Sequence, residues 1–203
     1  MLEALRLPRW LAALLVCLAA VLAAPAVLAQ RLMVDGQPFD TAARIGNVEL
    51  KLNGAGLRQV AWFKAYAAGL YLPDKTRVAA QALNGAGPKR LQMRMMQDVP
   101  TAEFIKAFDK GIGRNSTAAE LAALKERMAR FDQILTQIGQ VKKGDVVNLD
   151  FVPGQGLVLT LNGKPRGEAI AGEDLYAAFL RIFIGDKPTD ERLKASLLGA
   201  AWG

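Results

Sequence analysis

Arg58 and Tyr66 are the side chains of this sequence whose types and setting are best suited to binding a small molecule. They lie within residues 57–72, which are uncharged apart from Arg58 and Lys64. An arginine beside apolar residues is costly to bury unless an anion or several acceptors meet it. A guanidinium can hold a carboxylate through two parallel hydrogen bonds, and a tyrosine hydroxyl can add a third. The segment therefore suggests a site for an apolar carboxylate such as a fatty acid.

Three other interpretations of these residues stay open. Arg58 could pair with a carboxylate of a neighbouring strand, for which Glu49 is a candidate. In an isomerase or lyase, Arg58 could stabilise an enolate or a phenolate. Tyr66 or Lys64 would then be the acid or base, although Lys64 is also typical of a lysine at a strand edge. Finally, the protein could act in envelope interactions, with its cleft filled by its own side chains.

The absence of histidine from the chain excludes several kinds of site. A Ser-His-Asp triad and a histidine-ligated zinc site both need that side chain. The single cysteine, Cys17, lies near the N-terminus, so residues 30–203 have no disulfide or thiolate ligand. We predict neither a metal nor a cofactor.

The N-terminal residues have the features of a secretory signal peptide. Arg6 and Arg9 precede an apolar run over residues 10–28, and Val27 and Ala29 occupy the −3 and −1 positions of a cleavage site before Gln30. An uncleaved membrane anchor is the alternative, because the run is nearly long enough to span a bilayer. We expect a signal peptide over residues 1–29, export to the periplasm, and one domain over residues 30–203.

The net charge of +7 and the pI of about 9.7 indicate a basic protein. Its basic residues are scattered, with short pairs only at residues 89–90 and 142–143. In an exported protein this charge suggests contact with anionic envelope surfaces rather than with nucleic acid. A solvated basic surface is the alternative interpretation.

Residues 63–72 are predicted to form a strand whose successive side chains point to opposite faces. Both faces are apolar, which predicts an internal strand covered on both sides. The face with the smaller side chains is expected to admit a close helix, and residues 53–56 are expected to form a hairpin turn before this region. One face carries Phe63, Ala65, Ala67, Gly69 and Tyr71, and the other carries Lys64, Tyr66, Ala68, Leu70 and Leu72.

The rest of the chain predicts a mixture of strands and helices. A helix should begin at Pro100 and break at Gly111 and Gly113, and a longer one should begin at Thr117, where Glu120 completes a capping box. Strands are predicted over residues 90–96, 144–152 and 157–161, and two helices follow, the last capped by Thr189. This order predicts an α+β fold with an antiparallel sheet packed against helices. Candidates to line the path of an apolar ligand are Met93, Met95, Phe104 and Phe108.

Two segments, GAGLRQ and FKAYAAGLYLPD, resemble the opening motif of the chalcone isomerase-like family. Looser matches follow in the same order: PTAEFIKAFDKGI, GDVVNLDFVPGQGLVLTLNG and FIGDKPTD. The resemblance implies an open-faced β-sandwich with a ligand cleft between a large sheet and its helices. It also implies either chalcone cyclisation, as in the true isomerases, or fatty-acid binding, as in the plastid members.

The resemblance favours the fatty-acid binders over the isomerases. Arg58 matches the cleft arginine of both groups, and Tyr66 matches the tyrosine of the binders, where isomerases have threonine. Phe104 and Gly111 stand where isomerases have a tyrosine and an asparagine. Near the last helices, where isomerases have a serine or threonine, this chain has Ile182 or Phe183. These departures argue against isomerase activity.

Overall fold

The computed structural model describes residues 30–60 and 62–201. In this part of the chain, a seven-stranded antiparallel sheet is covered on one face by helices. The strands are β1 (Arg31–Val34), β2 (Gln37–Asp40), β3 (Ala42–Ile45), β4 (Val48–Val60), β5 (Phe63–Leu72), β6 (Lys89–Met95), β7 (Val99–Pro100), β8 (Gln140–Val141), β9 (Val146–Val152), β10 (Gly156–Leu161) and β11 (Lys164–Pro165). The helices are α1 (Ala79–Asn84), α2 (Thr101–Arg114), α3 (Ala118–Ile138), α4 (Glu173–Ile184) and α5 (Glu191–Leu197).

The strand order of the large sheet is β11-β10-β9-β6-β5-β4-β3. The strand pairs β1-β2 and β7-β8 form two small separate sheets. This arrangement confirms the predicted α+β fold and open-faced sandwich. It also confirms that β5 is an internal strand, with β4 on one side and β6 on the other.

The two faces of β5 belong to two different cores, as the alternation predicts. Leu70 and Leu72 lie in the main core beneath the helices, whereas Ala67 and Tyr71 lie in a smaller core with residues of the β1–β2 hairpin. The expectation that a helix covers the small face is wrong. The ring of Phe39 lies there instead, and a Cβ at Gly69 would be 2.7 Å from it. The hairpin thus uses the space that a small residue leaves.

Residues 53–56 do not form the predicted turn. They lie inside β4, which continues for 13 residues and turns into β5 only after Val60. The glycines are needed for packing, because α5 crosses β4 closely. A Cβ at Gly54 would overlap the backbone oxygen of Ser196, and one at Gly56 would be 2.6 Å from the Ser196 Cβ. The register shift at Asn53 is a bulge, from which Nδ2 donates to the Leu197 oxygen at 2.7 Å.

The helices differ from the predictions at two points. First, α2 continues through Gly111 and Gly113 to Arg114, because Gly111 is buried where α2 packs on Ile182 of α4. Second, Asp190 rather than Thr189 caps α5, and its carboxylate accepts from the backbone amides of the first turn. The capping box of α3 at Thr117 and Glu120 is confirmed.

The predicted signal peptide over residues 1–29 lies outside the described residues. Within residues 30–60 and 62–201, the structure contains no helix of the length and hydrophobicity needed to cross a membrane.

We expect Gly54→Ala to lower the free energy of unfolding by about 1–3 kcal/mol, because the added methyl group overlaps the backbone of α5. Gly113→Ala is the matched control, since a Cβ there meets nothing within 4 Å. It should raise the free energy of unfolding by about 0.5–1 kcal/mol through its helix propensity. Urea unfolding of both variants measures the difference. Equal effects would contradict the proposed role of Gly54.

Candidate functional site

The β4–β5 hairpin brings Arg58 and Tyr66 together. They are direct partners in the register of the two strands, so their side chains stand on the same face of the sheet. This is the face that packs against the helices, because Tyr66 contacts the main core. The turn between Val60 and Phe63 makes this possible.

The guanidinium of Arg58 is held by groups beside and beyond the end of β4. Nη1 donates to Asp190 Oδ2 at 3.0 Å and to the Gln59 backbone oxygen at 2.8 Å. Nη2 has a longer contact, 3.5 Å, with Thr189 Oγ1. The side chains of Arg58 and Asp190 retain 21% and 15% of their exposure, so the ion pair is largely, but not fully, shielded from water. Nη1 of the guanidinium is therefore held more firmly than Nη2.

Asp190 joins this arginine to the start of α5. Its Oδ1 accepts from the backbone nitrogens of Arg192 and Leu193 at 2.9 and 3.0 Å, while Oδ2 faces Arg58. A capping carboxylate also suits the positive end of a helix. Arg58 does meet a carboxylate, but not one of a neighbouring strand as that alternative expected: Asp190 caps a helix, and Glu49 is not the partner. Glu49 is exposed and stands opposite Arg44 of β3.

A cavity of about 90 Å³ lies between the sheet and helices α2, α3 and α4. Most of its lining side chains are apolar, and it includes three of the four predicted lining residues, Met93, Phe104 and Phe108. Met95 does not line it. That side chain is fully buried beside Tyr66, its partner in register, in the main core. The lining residues are Tyr66, Met93, Thr101, Phe104, Ala107, Phe108, Phe131, Leu135, Ile138, Val141, Val147, Leu149, Leu161, Phe179, Ile182, Phe183 and Thr189.

Phenylalanine rings from three helices form much of the cavity wall. The ring centroids of Phe108 and Phe131 are 4.7 Å apart, those of Phe108 and Phe179 are 5.4 Å apart, and those of Phe179 and Phe183 are 5.3 Å apart. These tilted contacts are favourable aromatic geometries. The wall therefore offers apolar surface and no charged group to a ligand.

The cavity opens at the end where the hydroxyls of Tyr66 and Thr189 lie. Most lining residues are buried, whereas Tyr66, Phe104, Ile138 and Thr189 are partly exposed and Ala107 of α2 is exposed. We call Tyr66, Phe104, Ala107 and Thr189 the mouth. Arg58 does not line the cavity itself, but it is the cross-strand partner of Tyr66 and contacts Thr189. The arrangement is an apolar chamber with hydroxyl groups and a guanidinium at its entrance.

Burial raises the pKa of the Tyr66 hydroxyl to about 12; the Arg58 guanidinium opposes this shift and the Asp190 carboxylate adds to it. Tyr66 is therefore neutral at ordinary pH and can donate a hydrogen bond. A group with so high a pKa is a poor general base near neutrality. Tyr66 is suited to binding an anion.

Lys64, the other candidate acid or base, does not reach the cavity. Its Nζ pairs with both carboxylate oxygens of Asp35 in the β1–β2 turn, at 2.7 and 2.9 Å. Among the residues that the structure describes, no three Asp or Glu side chains are grouped so that they could hold a metal ion.

The sequence analysis did not predict that Asp190 pairs with Arg58 or that Thr189 lies at the mouth. The stretch Thr189-Asp190-Glu191 does signal a helix start, because Thr and Asp are both capping residues. It gives no indication that the cap pairs with an arginine 132 positions earlier. The helical spacing of Phe131, Phe179, Ile182 and Phe183 is typical of packing residues, but such a pattern cannot show which packing residues border a cavity.

Residues 31–199 match the profile of the chalcone isomerase-like family. Since this match spans most of the sequence, the chain belongs to that family, as the motifs suggested. A crystal structure of a fatty-acid binding protein from Arabidopsis thaliana has a similar fold, with a TM-score of 0.66 and 15% sequence identity. The comparison covers 83% of this chain and 96% of the plant protein. No curated protein is significantly similar in sequence.

The positions aligned with isomerase polar groups adjoin one another in the structure. A Cβ at Gly111 would be 2.7 Å from Ile182 Cγ2, and Ile182 lines the cavity. An asparagine at 111 would therefore require a smaller residue at 182. Gly111 and Ile182 thus pack as a pair, and this part of the cavity is apolar.

We expect the ion pair of Arg58 and Asp190 to contribute about 1–2 kcal/mol to the free energy of unfolding, since it is a charged hydrogen bond that is partly exposed. Asp190→Asn retains an oxygen that can cap α5 and isolates the ion pair. Asp190→Ala should cost more, because it also removes the cap. A double-mutant cycle of Arg58→Ala and Asp190→Asn by urea unfolding measures the coupling, and additive effects would contradict it.

The alkaline titration of the native protein provides a second test. Burial raises the pKa of Tyr71 to about 12 and that of Tyr176 well above its usual value, as it does for Tyr66. These are the three tyrosines of the chain. Because the unfolded chain releases these protons near pH 10, the free energy of unfolding should fall as pH rises from about 10 to about 12. Ultraviolet absorbance of tyrosinate measures the shift, and a native tyrosine with a pKa near 10 would contradict it.

Proposed function

We propose that this protein is an exported, non-catalytic binder of an apolar carboxylate such as a fatty acid. The observation that carries the proposal is the apolar cavity whose mouth holds two hydroxyl groups with an arginine behind them. The acyl chain would lie along Met93, Phe104 and Phe108. The carboxylate would lie at the mouth.

Arg58 can take part without losing its ion pair. Nη1 is committed to Asp190 and Gln59, but the contact of Nη2 with Thr189 is 3.5 Å long. A carboxylate at the mouth could accept from Nη2 and from the Tyr66 hydroxyl. Such charge-assisted hydrogen bonds are among the stronger polar interactions in proteins. Asp190 would meanwhile keep the guanidinium in place.

The size of the cavity implies that α2 moves when a long acyl chain binds. Small-molecule pockets usually measure about 300–1,000 Å³, several times the 90 Å³ found here. The side of α2 nearest the mouth is accessible to solvent, since Phe104 is partly exposed and Ala107 is exposed. Displacement of this half of α2 would lengthen the cavity without disturbing its junction with α4 at Gly111.

Two further observations support the proposal. The solved structure with a similar fold is a fatty-acid binding protein by name. By the resemblance, the residues at isomerase polar positions are Phe104, Gly111 and either Ile182 or Phe183, which supply no acid, base or hydrogen-bond donor from their side chains. We further propose that residues 1–29 direct export to the periplasm, where a basic protein would meet anionic envelope surfaces.

We expect Arg58→Ala to weaken fatty-acid binding by about ten- to a hundred-fold, because a charge-assisted hydrogen bond contributes about 1.5–3 kcal/mol. Tyr66→Phe should weaken it less, since it removes a neutral donor. Displacement of a fluorescent fatty acid measures both. Arg44→Ala, an exposed arginine of β3, is the control and should bind normally. Unchanged affinity in a folded Arg58→Ala protein would contradict the carboxylate site.

A second variant tests the acyl-chain path independently of the carboxylate. Ala107→Phe adds a ring at the mouth and should lower the affinity for long fatty acids by about ten-fold or more. Ala102→Phe is the matched control, because Ala102 is exposed on the same helix and does not line the cavity. Equal affinities of the two variants would place the ligand elsewhere.

A further inference from the structure

We propose that the tip of the β4–β5 hairpin docks on a lipid bilayer that contains anionic headgroups. The hairpin tip consists of Val60, Trp62 and Phe63, which are 50%, 91% and 40% exposed. An almost fully exposed tryptophan is unusual in a folded protein, because an indole normally buries much of its surface. The other large exposed apolar residues are spread over β1, β4 and the segment before α1: Leu32, Met33, Val48 and Val78.

The hairpin tip lies at the same end of the sheet as the cavity mouth. Tyr66 is four residues from Trp62 along β5, which at about 3.3 Å per residue is roughly 13 Å. Arg58 precedes Val60 by two residues on the paired strand. A surface that contacts the hairpin tip would therefore also lie close to the entrance of the apolar chamber.

The chemistry of the hairpin tip fits a bilayer better than a protein partner. Tryptophan is enriched where membranes meet water, because its ring is apolar while its N–H can still form a hydrogen bond. Three side chains at the end of a ribbon bury a few hundred Å² at most, whereas a stable protein interface needs about 800 Å² from each partner. A bilayer accepts such a small wedge without a matching surface.

The charge near the mouth fits anionic headgroups. Lys106 and Lys110 flank Ala107 on α2, and Lys110 has no ion pair among the residues described, whereas Lys106 pairs with Glu103 at 2.8 Å. The chain as a whole carries a net charge of +7. Lysine near a negative surface adds electrostatic attraction to the apolar insertion.

Docking by the hairpin tip extends the proposed function, because it would let an apolar carboxylate pass between bilayer and cavity with little exposure to water. The docking step itself does not depend on that ligand. It can therefore fail or succeed separately from fatty-acid binding.

Vesicle flotation with and without fatty acid tests the inference. The probes are phosphatidylcholine vesicles with or without phosphatidylglycerol. Trp62→Ala should lower partition into the mixed vesicles by about ten-fold or more, the effect of losing one buried aromatic side chain. Val78→Ala, at 51% exposure on another part of the surface, is the control and should behave like the parent protein. Because residues 1–29 are the same in all variants, their processing does not affect the comparison.

A second readout follows Trp62 directly. When Trp10 and Trp202 are replaced by phenylalanine, Trp62 is the one remaining tryptophan, and its fluorescence should shift to shorter wavelength on vesicles. Unchanged partition of Trp62→Ala, no binding of the parent protein, or a dimer that Trp62→Ala dissociates would each overturn the inference. Fatty-acid affinity in solution should be the same in Trp62→Ala and the parent protein. Arg58→Ala should lose fatty-acid affinity but still partition into the mixed vesicles, which separates docking from ligand binding.

Discussion

The close crossing of α5 over β4, completed by the Asp190–Arg58 ion pair, is the interaction on which the mouth of the cavity depends. Two glycines of β4 let the helix backbone approach, and Asn53 donates to its C-terminal end. Asp190 then joins the other end of α5 to Arg58. Because Thr189 immediately precedes this cap, the same contact holds it at the cavity, which Tyr66 also lines. In the proposed binding mode, one arginine serves both the ion pair and the ligand, with different nitrogens of its guanidinium.

This arrangement places a charged group next to an apolar cavity with only a small desolvation penalty. A guanidinium inside the cavity would lose its hydration, which would lower the free energy of unfolding and so destabilise the protein. At the mouth it remains partly hydrated and paired, while Tyr66 and Thr189 line the cavity. Apart from Thr101, the helices contribute aromatic and aliphatic side chains to the cavity wall. A ligand with one charged end and an apolar body matches this division.

The sequence predicts those parts of the fold that local patterns determine. The alternation of residues 66–72 assigns the correct face to the side chains that reach the two cores, and the capping box at Thr117 marks the start of α3. Glycine is where local patterns mislead, because it is favourable in turns and is also required where two backbones approach. Residues 53–56 and Gly111 belong to the second class, which only the partner elements α5 and α4 reveal. The pairing of Arg58 with Asp190 is likewise invisible, since it joins segments that come together only in the folded chain.

The central claim is that the cavity receives an apolar carboxylate, and native mass spectrometry of the purified protein tests it most directly. We expect the parent protein to carry an adduct with the mass of a fatty acid, which organic extraction releases. This adduct should be strongly reduced in Ala107→Phe. Such adducts should persist in Ala102→Phe. A protein that carries no adduct, and gains none when it is mixed with fatty acids of different chain lengths, would contradict the account.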